Sequence, residues 1–233
     1  MSKPAHLLAH PSVPGNPPTL LDGLQAFFVY EIAIGGQISL INRLDRETSG
    51  LILVAKHRDA AREMSIAMEH REFQKTYEAI VSGWPEEDTF VVDGPLLRAG
   101  EIAPSPIWVR QIVHPDGKPC RTRFEVLDRL VDRETDHRFA HLRCFPETGR
   151  MHQIRAHLHH VGLPIVGDKL YGPDPNCYLE FIETGWTASL SRKLLLDRQA
   201  LHASALGWRQ HLWHSQLPPQ LSEFIECKTK SMS

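Results

Sequence analysis

The sequence predicts an α+β fold in a single domain, on three observations. Short apolar runs of strand length alternate with stretches of helical periodicity. No internal repeat, low-complexity tract or linker divides the 233 residues, a length suited to one large or two small domains at about 100–200 residues each. Hydrophobic residues at 42% and charged residues at 23% match the soluble globular average, which excludes disordered, collagen-like and disulfide-scaffold classes.

Prolines at 4, 11, 14, 17 and 18 predict an extended arm over residues 1–18, because proline lacks an amide donor and holds its predecessor extended. The folded domain is expected over residues 19–233. Thr19 reads as an N-cap, with Leu20, Leu24, Phe27 and Phe28 at helical spacing behind it. Thr48-Ser49-Gly50 reads as a turn into a buried strand over 51–55, Arg58 to His70 as an amphipathic helix and Lys75 to Val81 as the next strand. Five prolines between 95 and 119, together with Pro115-Asp116-Gly117, predict turn and edge structure. Strands are expected over 122–128 and 138–145. From Gly149 the period changes, and Met151, Ile154, Leu158 and Val161 give one apolar face of a helix that Gly162 stops. Short helices at 177–184 and 188–197 precede a last strand over 200–208.

Lys and Arg total 26 against 28 Asp and Glu, a net charge of −2, so any polyanion site must be a local patch. Residues 138–160 hold such a patch: four arginines (138, 143, 150, 155) and five histidines (141, 152, 157, 159, 160) against one acid, Glu147. Cys120, Cys144, Cys177 and Cys227 show no Cys-x-x-Cys pairing and read as reduced, mostly packed thiols. The N-terminal Met-Ser-Lys-Pro-Ala-His lacks an apolar signal core, and no apolar run approaches the roughly 20 residues of a membrane span, so a cytoplasmic protein without a membrane partner is expected.

Two segments carry candidate chemistry. In Arg43-Leu44-Asp45-Arg46-Glu47-Thr48-Ser49-Gly50 a carboxylate lies between two arginines before a glycine turn. Neighbouring positive charge keeps such a group ionised, and an ionised carboxylate is a usable nucleophile; the alternative is a surface turn with local ion pairs. In Thr148-Gly149-Arg150-Met151-His152-Gln153-Ile154-Arg155-Ala156-His157-Leu158 the apolar residues face the core, which leaves His152, Arg155 and His159 on one other face, able to look into a cleft. That run is either a solvated helix face or a phosphate-tracking surface.

These segments are joined by Lys75-x-Tyr77 and by Pro164-Ile165-Val166-Gly167-Asp168-x-x-Tyr171-Gly172. In that order, and with Lys3-Pro4-Ala5 and Arg198-Gln199-Ala200-Leu201-His202-Ala203 at the flanks, the chain resembles the RluA-type RNA pseudouridine synthase family over most of its length. The resemblance implies a bent, mixed, mainly antiparallel sheet flanked by helices. It also implies a cofactor-independent isomerase that converts specific uridines of structured ribosomal or transfer RNA to pseudouridine. The bond from ribose to the ring nitrogen breaks, the uracil turns and rejoins through carbon 5, and that carbon loses its proton.

By the resemblance Asp45 is the nucleophile, attacking either the ribose or the uracil ring. Arg155 pairs with Asp45 through its planar fork, and Tyr77 stacks on the target base and accepts its proton. Arg43 fills the gap left by the flipped nucleotide, while Arg150, His152 and Lys75 are expected on the RNA. A monomer is expected, and no metal. Asn42 and Met151 depart from the family, which has His and Ser or Thr there, and Lys3-Pro4 is not preceded by the strand that normally opens the domain. Two other readings compete. One is a catalytically degenerate RNA-binding protein of the same fold. The other is a metal-dependent hydrolase, suggested by 14 histidines but opposed by the i, i+5 spacing of His152 and His157 and the lack of His-Glu-x-x-His.

Overall fold

A computed structural model describes residues 1–11 and 17–229; Pro14 and its neighbours in the expected arm lie outside the described residues. In chain order the elements are β1 (Ser2–Lys3), α1 (Leu20–Phe27), α2 (Val29–Ala33), β2 (Ser39–Leu40), β3 (Ser49–Leu51), β4 (Val54–Ala55), α3 (Arg58–Glu69) and β5 (Gln74–Ser82). Then come β6 (Thr89–Asp93), β7 (Leu96–Arg98), β8 (Gln111–Val113), β9 (Arg121–Asp132), β10 (His137–Pro146), α4 (Gln153–His160), α5 (Asn176–Thr184), α6 (Ala188–Leu194), β11 (Leu201–Trp208), β12 (His211–His214) and α7 (Pro219–Thr229). The class is α+β, as the alternation of periods predicts, and the pairings described below are antiparallel. The chain groups into two compact units, Met1–Lys75 with Ala203–Gln216, and Thr76–His202 with Leu217–Ser233.

In the first unit Thr19 caps α1 through a capping box with Asp22, two orphan amides satisfied reciprocally. The expected strand over 51–55 is split. Its middle turns aside because Leu53 gives its carbonyl to Ile41 N–H (2.9 Å) and its amide to Asn42 Oδ1 (2.8 Å), which β2 and β4 frame by pairing Ser39 with Ala55. Ser2 and Lys3 themselves supply a strand beside β3, with Lys3 opposite Gly50. Gly50 has φ +112, and a Cβ there would fall 2.3 Å from the Ala203 carbonyl oxygen, so only glycine allows this close passage. Phe73 stacks on Trp208 at 5.2 Å over a core that includes Leu51, Ala67 and Leu206.

The second unit is built on antiparallel strands in the order β5, β10, β9, β6, the β9–β10 hairpin lying between β5 and β6, with a bulge between His141 and Leu142. Ile80, Val81, Phe124, Leu130, Phe139 and Leu142 fill its core, closed by Leu158 of α4 and by Leu221, Phe224 and Ile225 of α7. The Pro164-Ile165-Val166 segment runs along β5, with Ser82 N–H bonded to Pro164 O and Val166 N–H to Ile80 O, both at 2.9 Å. The periodic reading did not include α7, although Leu221, Phe224 and Ile225 step at i, i+3 and i+4 behind a proline suited to a helix start. It also did not include β6 and β12, which are too short to show a period.

Leu142 is fully buried on β10, between β5 and β9. Leu142→Ala is expected to lower unfolding free energy by about 2–5 kcal/mol through lost transfer energy and a residual cavity. Urea denaturation followed by circular dichroism should show the midpoint falling without a change of slope.

Candidate active site

Asp45 stands on a turn closed by Thr48 N–H bonding to the Asp45 carbonyl at 3.1 Å. Leu44, Thr48 and Ser49 are buried, Asp45 is half-buried and Arg43 is exposed. Two side chains clamp this turn. The buried Lys3 ammonium donates to the carbonyls of Pro4 (2.8 Å), Leu7 (2.9 Å) and Arg46 (3.1 Å), which ties the N-terminal segment to the residue after Asp45. From the other side Asn42 donates to Leu51 O at 3.1 Å and accepts from Leu53 N–H. The residue that departs from the family motif therefore bonds to the chain on either side of Ile52. The basic character of this end is felt by His10, whose pKa is lowered by burial and then by the positive charge of Arg43. Lys75, on β5, is also lowered, by burial and then by Arg71.

In the second unit Tyr77 sits half-buried on β5, opposite Cys144 of β10. Helix α4 begins at Gln153, later than the sequence predicts, because His152 adopts a left-handed φ of +56 that ends the helix there; Met151 lies outside it and Val161 is exposed. Gln153 knits the approaching loop. Its Oε1 accepts from Thr148 Oγ1 (2.6 Å) and Arg150 N–H (3.0 Å), and its Nε2 donates to Arg121 O and Thr122 Oγ1, each at 3.0 Å. Arg150 is left exposed.

Arg155 is buried and forks onto Asp168, Nε to Oδ2 at 2.7 Å and Nη2 to Oδ1 at 2.9 Å. Asp168 also accepts the amides of Leu170 (2.9 Å) and Tyr171 (3.0 Å). Burial alone pushes this carboxyl up, but Arg155 and the two amides together bring it below its ordinary value. The sequence reading missed Asp168 as a partner of Arg155; the signal was its place in Gly167-Asp168-x-x-Tyr171. It missed Lys3 likewise, whose signal was the Lys-Pro pair.

The face shared by His152, Arg155 and His159 exists, and it converges on the buried Tyr171. The Arg155 guanidinium lies 5.0 Å from the Tyr171 ring centre, His152 Nδ1 is 3.1 Å from the hydroxyl, and His159 Nδ1 donates to the Tyr171 carbonyl at 2.9 Å. The hydroxyl also accepts Gln111 N–H of β8 at 2.7 Å. His159 has its pKa lowered by burial and then by Arg110, so it is neutral near pH 7 and its Nε2 accepts from Arg110 Nη2 at 2.8 Å. His157 is not a ligand candidate but a core residue, with Nδ1 to Thr122 Oγ1 and Nε2 to Gly94 O, each at 2.9 Å. Cys120, Cys144 and Cys177 are buried free thiols, Cys120 pushed up to about 11 chiefly by burial. Among the described residues no helix is long and apolar enough to cross a membrane.

Of the residues singled out from sequence, Arg43, Asp45 and Lys75 belong to the first unit, and Tyr77, Arg150, His152 and Arg155 to the second. The Arg155–Asp168 pair sets a pH dependence. A carboxyl depressed by folding contributes stability above its unfolded value of about 3.9, and loses it as pH falls through the folded value. Asp168→Asn is expected to cost about 3–5 kcal/mol at pH 7, by leaving a buried guanidinium uncompensated. Urea unfolding at a series of pH values should show the gap from the unsubstituted protein narrowing in acid.

A family model described as RNA pseudouridylate synthase matches residues 1–160. A relative in Chloroflexus aurantiacus, named an uncharacterized RNA pseudouridine synthase, is 39% identical over 88% of this chain and 57% of its own. Proteins named ribosomal large subunit pseudouridine synthase D in Haemophilus ducreyi and Escherichia coli K12 are 34% and 33% identical, over 97% of this chain and 66% of theirs. The chain thus spans less than two thirds of these relatives' length. A solved structure titled human RNA pseudouridylate synthase domain containing 4 shares the fold, with a TM-score of 0.74 at 22% identity over 98% of this chain and 88% of that one. With the family model matched over residues 1 to 160, the chain belongs to the RNA pseudouridylate synthase family.

Proposed function

We propose that the protein isomerises uridine to pseudouridine in structured RNA, with Asp45 as nucleophile and no cofactor. The observation that carries this reading is the Asp45 turn. The backbone of the turn that carries the carboxylate is held by Lys3, with Asn42 bonding the strand that follows, so less orientation remains to be arranged during attack. A glycosidase places a second carboxylate to protonate its leaving group. Uracil departs as a stabilised anion, so one carboxylate suffices. Arg155, held in orientation by Asp168, supplies a fixed positive charge. Tyr77 stacks on the target base, and its hydroxyl takes the proton from carbon 5.

Reaching the target requires flipping it from its stack, at a cost of a few kcal/mol, which Arg43 offsets by filling the gap with its guanidinium plane. Arg150, His152 and Lys75 meet the RNA backbone, where each neutralised phosphate adds to the salt dependence of binding. The names of the ribosomal large subunit relatives favour ribosomal RNA as the substrate class. The protein acts as a monomer in the cytoplasm.

Asp45→Asn keeps the size of the side chain and removes the nucleophile. Pseudouridine formation, read by mass spectrometry of modified RNA, should fall below detection while RNA affinity stays within a few-fold. Turnover within tenfold of the unsubstituted enzyme would sink the assignment and favour a degenerate RNA-binding protein.

Tyr77→Phe separates stacking from proton transfer. With the hydroxyl as base, release of the carbon 5 hydrogen from tritiated uridine should slow by about 10²–10⁴-fold while binding is retained. An unchanged release rate leaves Tyr77 with stacking alone.

A further inference from the structure

The hairpin of β7 and β8 carries a long connection, residues 99–110, that presents Trp108 to solvent with 52% of its surface exposed. Ile102 and Val109 of the same connection are exposed with it, so the aromatic does not stand singly on the surface, and clustered exposed apolar side chains mark contact sites. This connection is ordered. Ala99 N–H bonds to Arg110 O (2.8 Å), Arg110 N–H to Ile107 O (3.2 Å), and Ile107 N–H to Ser105 Oγ (3.2 Å). Ile107, just before Trp108, is buried against Ala156, Leu170 and Tyr171, and Arg110, two residues after it, bonds to His159 of α4.

One face of the indole is already taken. It lies on Gly100, where a Cβ would fall 2.2 Å from Trp108 Cε3 and 2.7 Å from both Cδ2 and Cζ3. Glycine at 100 therefore serves as a flat seat for the ring, which backs one face and leaves the ring exposed on its outer side. Between residues 98 and 121 the chain has four Lys or Arg against two acids, so the surroundings favour an anionic partner.

We propose that Trp108, seated on Gly100, is a stacking platform for an unpaired RNA base other than the uridine being isomerised. This rests on the RNA-modifying reading above and adds a binding position to it. Every base has a π-face, so such a platform raises affinity with little sequence preference. Its anchoring at Ile107 and Arg110 lowers the ordering cost of binding.

The test uses the full chain carrying Asp45→Asn, with Trp108→Ala, Trp108→Phe or Gly100→Ala added. The probe is a fluorescein-labelled uridine dodecamer, read by anisotropy over a range of salt. Stacking on aromatic side chains predicts a five- to hundredfold weakening for Trp108→Ala. Trp108→Phe should lose less than threefold. Gly100→Ala, which keeps the tryptophan but unseats it, should lose as much as Trp108→Ala. The slope against salt should stay constant, since no charge changes. Circular dichroism melts of each variant should match the parent.

Binding by Trp108→Ala within twofold of the parent overturns the proposal, as for a platform that serves a protein contact. So does a phenylalanine variant as weak as the alanine one. If the unsubstituted enzyme neither binds RNA nor forms pseudouridine, the RNA-modifying reading falls with it. If the enzyme does both and Trp108→Ala is silent, only the platform fails.

Discussion

The pairing of Arg155 with Asp168 is the constraint on which the second unit's functional residues depend. Both groups are buried, and a charge removed from water is tolerable only when a partner and hydrogen bonds replace its hydration. The fork satisfies two guanidinium nitrogens, and the Leu170 and Tyr171 amides satisfy Asp168 further. Because Asp168 lies on the chain immediately after the segment laid along β5, the pair also fastens α4 to the sheet. The orientation of Arg155 and the position of Tyr171 are thus settled by one interaction. His152 and His159 then take their places around the same ring.

A second immobilising device of the opposite kind operates around Asp45. Here a lysine ammonium donates to three backbone carbonyls. A buried ammonium bound to carbonyls holds the backbone, so it restrains the turn that carries Asp45. Asn42 joins the chain on either side of Ile52. An amide offers a donor and an acceptor at once, and here the donor serves Leu51 and the acceptor Leu53.

The basic patch that net charge conceals resolves into distinct tasks. Arg155 and His157 are buried, Arg150 is open to solvent, and His159 is held neutral between Arg110 and a carbonyl. Counting positive residues in a run therefore overstates the charge available to phosphate. The hairpin of β7 and β8 supplies what the patch lacks, an aromatic surface fixed beside α4.

By itself the sequence determined the class of the fold, the positions of α1, α3, β5, α5 and β11 and the family resemblance of its ordered motifs. These follow from period, capping and turn chemistry, which are properties of neighbouring residues. The turn expected at Thr48-Ser49-Gly50, by contrast, lies earlier, at Asp45–Thr48, and Ser49 and Gly50 belong to β3. The bounds of α4 were less legible, because nothing in the composition of His152 announces a positive φ. Asp168 as the partner of Arg155, Lys3 as a clamp on Arg46, the meeting of Gln111 with Tyr171 and the seating of Trp108 on Gly100 were decided by tertiary structure alone. Each joins residues 8 to 60 positions apart, or depends on the absence of a side chain at the contact point. Such contacts form only when separate segments pack, and the strength of a buried charge pair or a stacked ring depends on the water that packing removes.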